Sequence, residues 1–129
     1  MNAAFPWAQL LAIALGSAVG GVLRWAVQLW LNARWVGFPL GTLLVNGVGG
    51  LLVGVALVWF ARSPNELLRL LLVTGFLGGL TTFSAFTGES LTLLQRGDVG
   101  WALAHSAAHL LGALACCAIG FRLAKMLLA

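Results

Sequence analysis

Four long apolar stretches decide what this chain can fold into. They cover approximately residues 7–31, 40–61, 67–94 and 100–123. A helix needs about 20 consecutive apolar residues to cross the hydrocarbon core of a bilayer, and each stretch reaches that length. The connections between them are short: NARWVGFP, RSPNE and QRGDVG. We therefore predict an all-α membrane protein of four transmembrane helices, with residues 1–129 forming one domain.

The composition supports lipid as the main solvent. The chain is 61% hydrophobic and only 8% charged, whereas a soluble domain carries roughly 25% charged residues. The net charge of +4 comes from basic residues scattered singly along the chain, so we expect no nucleic acid partner. No Ser-His-Asp order, nucleotide-binding loop or paired carboxylates occur, so we expect no enzyme. A secretory signal peptide has basic residues before its apolar core. No Lys or Arg precedes Arg24, so we expect the first stretch to be retained as a membrane span.

Basic residues fall on both sides of the predicted bundle. One side would hold Arg62, Arg69, Arg122 and Lys125, and the other Arg34 and Arg96, with Arg24 if it snorkels outward. Lys and Arg bias sets membrane orientation, and this bias is weak. Two interpretations stay open: the chain inserts in both orientations and pairs antiparallel, or the small bias decides one orientation.

Glycines recur at helix-packing spacings. Gly16 and Gly20 are four residues apart, as are Gly50 and Gly54, and Gly47 adds a third small position. In lipid, small residues let helix backbones approach closely. The pattern predicts a tight bundle that includes a partner chain.

The segment GFLGGLTTFSAF, residues 75–86, interrupts the third stretch. We expect Gly78 and Gly79 to let the helix unwind at mid-membrane, and Thr81 or Thr82 to cap a second half-helix. Freed backbone groups cannot face lipid, and broken helices at this depth often form ion sites. A glycine kink that serves packing alone is the alternative.

Two phenylalanines follow directly. Phe83 and Phe86 are three residues apart and share a helix face, with Ser84 alongside. A phenyl ring has an electropositive edge, which can attract a small anion weakly. Plain packing is the alternative.

Asn46 lies inside the second stretch. Its amide can donate two hydrogen bonds, and a neutral donor suits an anion path because weak binding lets an ion leave. A buried Asn can equally join helices together.

His105 and His109 are four residues apart in the fourth stretch. This spacing leaves three hypotheses open: a metal or haem site with Glu89 and Asp98 as further ligands, structural hydrogen bonding, or the polar lining of a path.

The motifs GSAVGGVLRW, GTLLVNGVGG and GFLGGLTTFSAFTGE together resemble the Fluc/CrcB family of microbial fluoride channels. The resemblance implies an antiparallel, dual-topology homodimer with two narrow pores in the cell inner membrane, through which fluoride leaves passively. The main alternatives are a small multidrug-type proton-coupled antiporter, which needs an acidic residue that the first stretch lacks, and a non-transporting assembly protein.

The resemblance also assigns residues. Asn46 would face the pore, the ring edges of Phe83 and Phe86 would meet the ion, and Arg24 would stand near the pore mouth. A structural sodium ion on the dimer axis would bind the main-chain carbonyls of Gly78 and Thr81. Our full pore-lining set is Arg24, Asn46, Thr82, Phe83, Ser84, Phe86, His105 and His109. The fourth stretch departs from the family pattern, because His105 and His109 stand where many members place a tyrosine and hydroxyl residues.

Overall fold

The computed structural model describes residues 5–35 and 37–129, which form helices joined by short turns. The elements are α1 (Trp7–Leu31), a 3₁₀ turn (Asn32–Arg34), α2 (Leu40–Arg62), α3 (Glu66–Arg69), a π-helix (Leu70–Leu77), α4 (Gly78–Leu80), α5 (Phe83–Gln95) and α6 (Val99–Leu127). Within the described residues, four segments are long and apolar enough to span a membrane: Trp7–Arg34, Leu40–Arg62, Glu66–Gln95 and Val99–Leu127. The prediction of four helical spans is confirmed.

Helix ends coincide with residues that favour them. Pro6 and Pro39 directly precede α1 and α2, and Pro has no N–H that the first helical turn would leave unsatisfied. Gly97, with φ of +82°, follows the end of α5, a left-handed conformation that costs glycine little. Asn65 caps α3 by accepting a hydrogen bond from the amide of Leu68 at 2.9 Å. These signals set the hairpins that bring the four spans together.

Two glycine seams hold the bundle together. On α1, a Cβ atom at Gly16 or Gly20 would overlap the carbonyl oxygen of Leu71 or Phe76 on the π-helix. On α2, the same atom at Gly50 would lie 2.7 Å from the carbonyl oxygen of Ala113 on α6. Gly54 meets the backbone of α6 at Cys117 in the same way.

The prediction that these four glycines serve close helix packing is confirmed. Gly47 differs, because its nearest neighbour would be the Sγ atom of Cys116 at 3.8 Å, an ordinary contact.

The third span departs from the helical path at its threonines. The prediction that Gly78 and Gly79 unwind is wrong: both lie in α4, and Gly78 has helical φ and ψ of −62° and −35°. The extended residues are Thr81 (φ −86°, ψ 155°) and Thr82 (φ −152°, ψ 120°). Gly79 instead packs against α1, where a Cβ atom would lie 2.5 Å from the carbonyl oxygen of Ser17. Thr82 caps α5 by accepting from the amide of Ala85 at 3.1 Å.

An aromatic cluster closes one end of the bundle, where α2 and α6 begin. Phe38 is buried, and its ring meets those of Trp35 and Trp101 at centroid distances of 5.7 and 5.8 Å. The same ring meets the imidazole of His105 edge-on at 5.2 Å. Phe38 therefore separates His105 from that end of the protein.

Candidate functional site

Polar side chains inside the bundle form two layers. The first, here the carboxylate layer, consists of Gln28, Thr42, Glu89, Ser90 and His105. The second, the amide layer, consists of Asn46, Thr82, Phe86 and His109. Thr42 precedes Asn46, and His105 precedes His109, by four residues. Because residues four apart lie one above the other on a helix, the layers are about one turn apart, roughly 5 Å.

The carboxylate layer is a hydrogen-bond chain that joins residues of all four spans. The amide of Gln28 donates to the hydroxyl of Thr42 at 3.0 Å. That hydroxyl donates to Oε1 of Glu89 at 2.5 Å. The other carboxylate oxygen of Glu89 lies 3.2 Å from Nε2 of His105, and Nδ1 of His105 lies 2.8 Å from the hydroxyl of Ser90.

Burial makes this chain costly to break. Thr42 and His105 are both 0% exposed. Polar groups that leave water need partners, and each group in the carboxylate layer has one. The layer therefore fixes the relative positions of α1, α2, α5 and α6.

In the amide layer, Asn46 holds the extended backbone of Thr82 by two hydrogen bonds. Its Nδ2 donates to the carbonyl oxygen of Thr82 at 2.9 Å, and its Oδ1 accepts from the amide of Thr82 at 2.8 Å. We call this pair the Asn46 clamp. It satisfies the main-chain groups that the extended conformation removes from the helix, so the role of Asn46 as a residue that joins helices is confirmed.

His109 is held on two sides. Its Nδ1 lies 3.1 Å from Nδ2 of Asn46, and its ring stacks on Phe86 at a centroid distance of 4.6 Å and an angle of 28°. Among residues 5–35 and 37–129, Nε2 of His109 is the one buried side-chain polar atom without a hydrogen-bond partner. Such a buried, unsatisfied group costs about 1–3 kcal/mol, so it requires an explanation.

A groove of about 340 Å³ runs beside the amide layer, between α2, α5 and α6. Its lining includes Asn46, Thr81, Thr82, Phe83, Phe86 and His109. The two phenyl rings meet edge to face, with centroids 5.2 Å apart at 66°. Phe86 is 7% exposed and Phe83 is 71% exposed, so one ring is fixed in the bundle and the other projects from it.

The remaining predicted lining residues lie elsewhere. Ser84 is exposed, with its hydroxyl 3.2 Å from that of Thr82. His105 belongs to the carboxylate layer, one turn from the groove. Arg24, on α1, donates from Nε to the carbonyl oxygen of Gly79 at 3.0 Å and is not among the groove residues.

The bend takes several carbonyl groups out of the helical pattern, among them those of Gly78 and Thr81. Thr82 donates its amide to Asn46 and Thr81 donates its amide to Leu77, so neither amide is available to the carbonyl of Gly78. The amide of Ala85 donates to the hydroxyl of Thr82, so it does not serve the carbonyl of Thr81. Main-chain carbonyls suit a hard cation such as sodium; the assignment of a sodium ion to the carbonyls of Gly78 and Thr81 stays a prediction.

A cluster with metal-ligating side chains also forms. The cluster offers three ligand atoms that lie within 4.8 Å of one another, one each from Glu89, His105 and His109. Asp98, the further acid of the metal hypothesis, is the N-cap residue of α6 and is outside this cluster.

Sequence reasoning missed Thr42, Gln28 and Phe38. Thr42 had a usable signal, since it lies four residues before Asn46 and therefore on the same face of α2. No sequence signal pointed to Gln28 or Phe38, because a Gln near the end of a helix and a Phe in a turn are common.

These observations define a class: a polytopic membrane protein with a buried polar core beside a groove of amide, hydroxyl, imidazole and phenyl groups. Residues 11–121 match the family model described as "CrcB-like protein, Camphor Resistance (CrcB)". The chain belongs to the CrcB family, as its motifs indicate.

Curated relatives carry a functional name. A protein from Aromatoleum aromaticum, named fluoride-specific ion channel FluC, is 48% identical over 123 residues, 94% of each chain. A protein of the same name from Pseudomonas paraeruginosa is 51% identical over 110 residues, 84% of this chain and 87% of its own. One from Nitrosomonas europaea, again so named, is 50% identical over the same shares.

Proposed function

We propose that this protein is a fluoride-selective channel that lets fluoride leave the cell passively across the inner membrane. The observation that carries the proposal is the 48–51% identity, over at least 84% of the chain, to relatives named fluoride-specific ion channels. The protein is a transport protein of the membrane and not an enzyme.

The groove supports this function chemically. A dehydrated fluoride needs hydrogen-bond donors, but binding must be weak enough for the ion to leave. The groove residues include amide, hydroxyl and imidazole groups and phenyl rings, and no Lys or Arg. We assign the conducting surface to Asn46, Thr82, Phe83, Phe86 and His109, with Ser84 beside them. His105 and Arg24 stay predicted pore residues, although they lie outside the groove of the single chain.

The third span is proposed to be interrupted at mid-membrane. The extended residues Thr81 and Thr82 lie near the middle of the Glu66–Gln95 span. Non-helical backbone is tolerated at that depth only where protein or a polar cavity satisfies it. The Asn46 clamp does so for Thr82, which makes the interruption compatible with a bilayer.

The functional unit is proposed to be an antiparallel homodimer with two pores. Phe83 and Ser84 are exposed in the single chain, and Phe83 lines the groove. A second copy, inserted in the opposite orientation, would cover them and complete the walls of each pore. The near balance of basic residues on the two sides favours such dual insertion.

A structural sodium ion at the dimer axis fits the bend. The carbonyls of Gly78 and Thr81 from each copy would hold it, and its charge would join the two chains. Replacing sodium by a bulky organic cation should lower the thermal stability of the purified dimer. Unchanged stability in sodium-free buffer would remove the ion from the proposal.

The test of function is fluoride efflux from liposomes that contain the purified protein, followed with a fluoride electrode. Fluoride should leave at rates well above those of empty liposomes, and chloride should not. Proton-coupled uptake of cations would favour the antiporter, and the absence of any ion flux would favour an assembly protein.

A further inference from the structure

The orientation of the Asn46 amide is fixed by the clamp. Thr82 offers an N–H donor to one end of the amide and a carbonyl acceptor to the other. A flipped amide would place donor against donor and acceptor against acceptor. The atom beside His109 is therefore the amide nitrogen of Asn46, 3.1 Å from Nδ1.

This contact sets the tautomer of His109. An amide nitrogen donates and does not accept hydrogen bonds, so Nδ1 of His109 must be the acceptor and carries no proton. In the neutral ring the proton is then on Nε2. The buried atom without a partner is thus an N–H group in need of an acceptor.

The same contact uses up the donors of Asn46. One N–H of its amide binds the carbonyl of Thr82, and the other binds Nδ1 of His109. Both N–H groups of Asn46 are therefore bound within the chain, so Asn46 borders the groove without offering an ion a free donor. His109 is 4% exposed and stacks on Phe86, and its Nε2–H group has no hydrogen-bond partner.

We propose that the hydrogen-bond donor presented to fluoride in this layer is Nε2–H of His109, and that Asn46 is a positioning residue which holds His109 in that tautomer. This inference rests on the proposed fluoride function. A metal ion in the cluster of Glu89, His105 and His109 would have to displace this proton, so the inference argues against a metal site there.

Nitrogen-15 NMR of the histidine rings tests the tautomer directly. The chain has two histidines, and a His105→Gln sample assigns the signal of His109. We expect a neutral ring protonated at Nε2 in the wild type, and a mixture of tautomers in Asn46→Leu. The tautomer depends on the contact between Asn46 and His109, not on the two hydrogen bonds between Asn46 and Thr82. A change of tautomer therefore shows that Asn46 positions His109, beyond any structural effect of losing the clamp. A wild-type ring protonated at Nδ1 would overturn the inference.

Fluoride titration of the same sample tests the donor. Fluoride should shift the Nε2 signal of His109, and equal chloride should not. No shift with fluoride would overturn the role of His109 even if liposome efflux is intact. A shift with Zn²⁺, bound in place of the proton, would also overturn it. Absent efflux would count against the proposed function separately.

Flux variants complete the test. His109→Met should lower efflux about tenfold to a hundredfold, as the loss of one hydrogen bond to a charged group implies. His109→Gln, which restores an N–H near the position of Nε2, should recover most of it. Leu111→Met, on the exposed face of the same helix, is the matched control and should match the wild type. Equal efflux in His109→Met and His109→Gln would refute the donor role.

Discussion

Replacing Thr42 by valine should destabilise the protein without creating a cavity. Valine has almost the shape of threonine, so the change removes one hydroxyl group from a fully buried site. That hydroxyl accepts from Gln28 on α1 and donates to Glu89 on α5. Hydrogen bonds between membrane helices contribute about 0.6 kcal/mol on average and at most about 1.7. Two such bonds imply a loss of about 1–3 kcal/mol in the free energy of unfolding.

The assay is equilibrium unfolding of the purified protein in mixed micelles, followed by tryptophan fluorescence. Thr42→Ser keeps the hydroxyl and should retain both hydrogen bonds. Thr92→Val is the control for the chemical change, because the exposed hydroxyl of Thr92 bonds only to the carbonyl of Gly88 in its own helix; we expect a change within about 0.5 kcal/mol. If Thr42→Val and Thr92→Val unfold alike, the carboxylate layer does not stabilise the bundle.

Two further predictions concern the groove and the glycine seams. Phe83→Ile and Phe86→Ile should each reduce fluoride efflux from liposomes sharply, because the substitution replaces a phenyl edge by alkyl groups; wild-type rates in both would refute their role. Gly120→Ala should lower the yield of folded protein in detergent, since its Cβ would overlap the carbonyl oxygen of Leu51 and overpacking costs about 1–3 kcal/mol. Gly112→Ala, on the same helix with nothing within 4 Å, should behave as the wild type, and equal yields would contradict the packing argument.

The helical spans were predictable because they depend on local properties. Length and hydropathy located the four segments, and Pro39 and Gly97 marked ends that the structure reproduces within a few residues. The glycine seams followed from spacing alone. The π-helix was not predictable, since nothing in LLLVTGFL distinguishes it from an α-helix.

The bend of the third span shows where local reasoning fails. Sequence favoured the glycines, because glycine has the most backbone freedom. The structure bends at the threonines instead, because Asn46, 36 residues away, provides the hydrogen bonds that an extended residue needs there. A hydrogen bond between residues far apart in the sequence produces no periodic residue pattern, so the sequence alone does not reveal it. The two histidines are both buried, but which ring nitrogen is free depends on the same distant amide.

Asn46 does for Thr82 what the edge of a β-strand would do in a sheet. Its side chain offers one donor and one acceptor at peptide spacing, so a single extended residue finds a neighbour inside an otherwise helical protein. Aspartate would lack the N–H and glutamine would place both atoms one methylene too far. Only one of the twenty amino acids can therefore occupy this position without disturbing the turn.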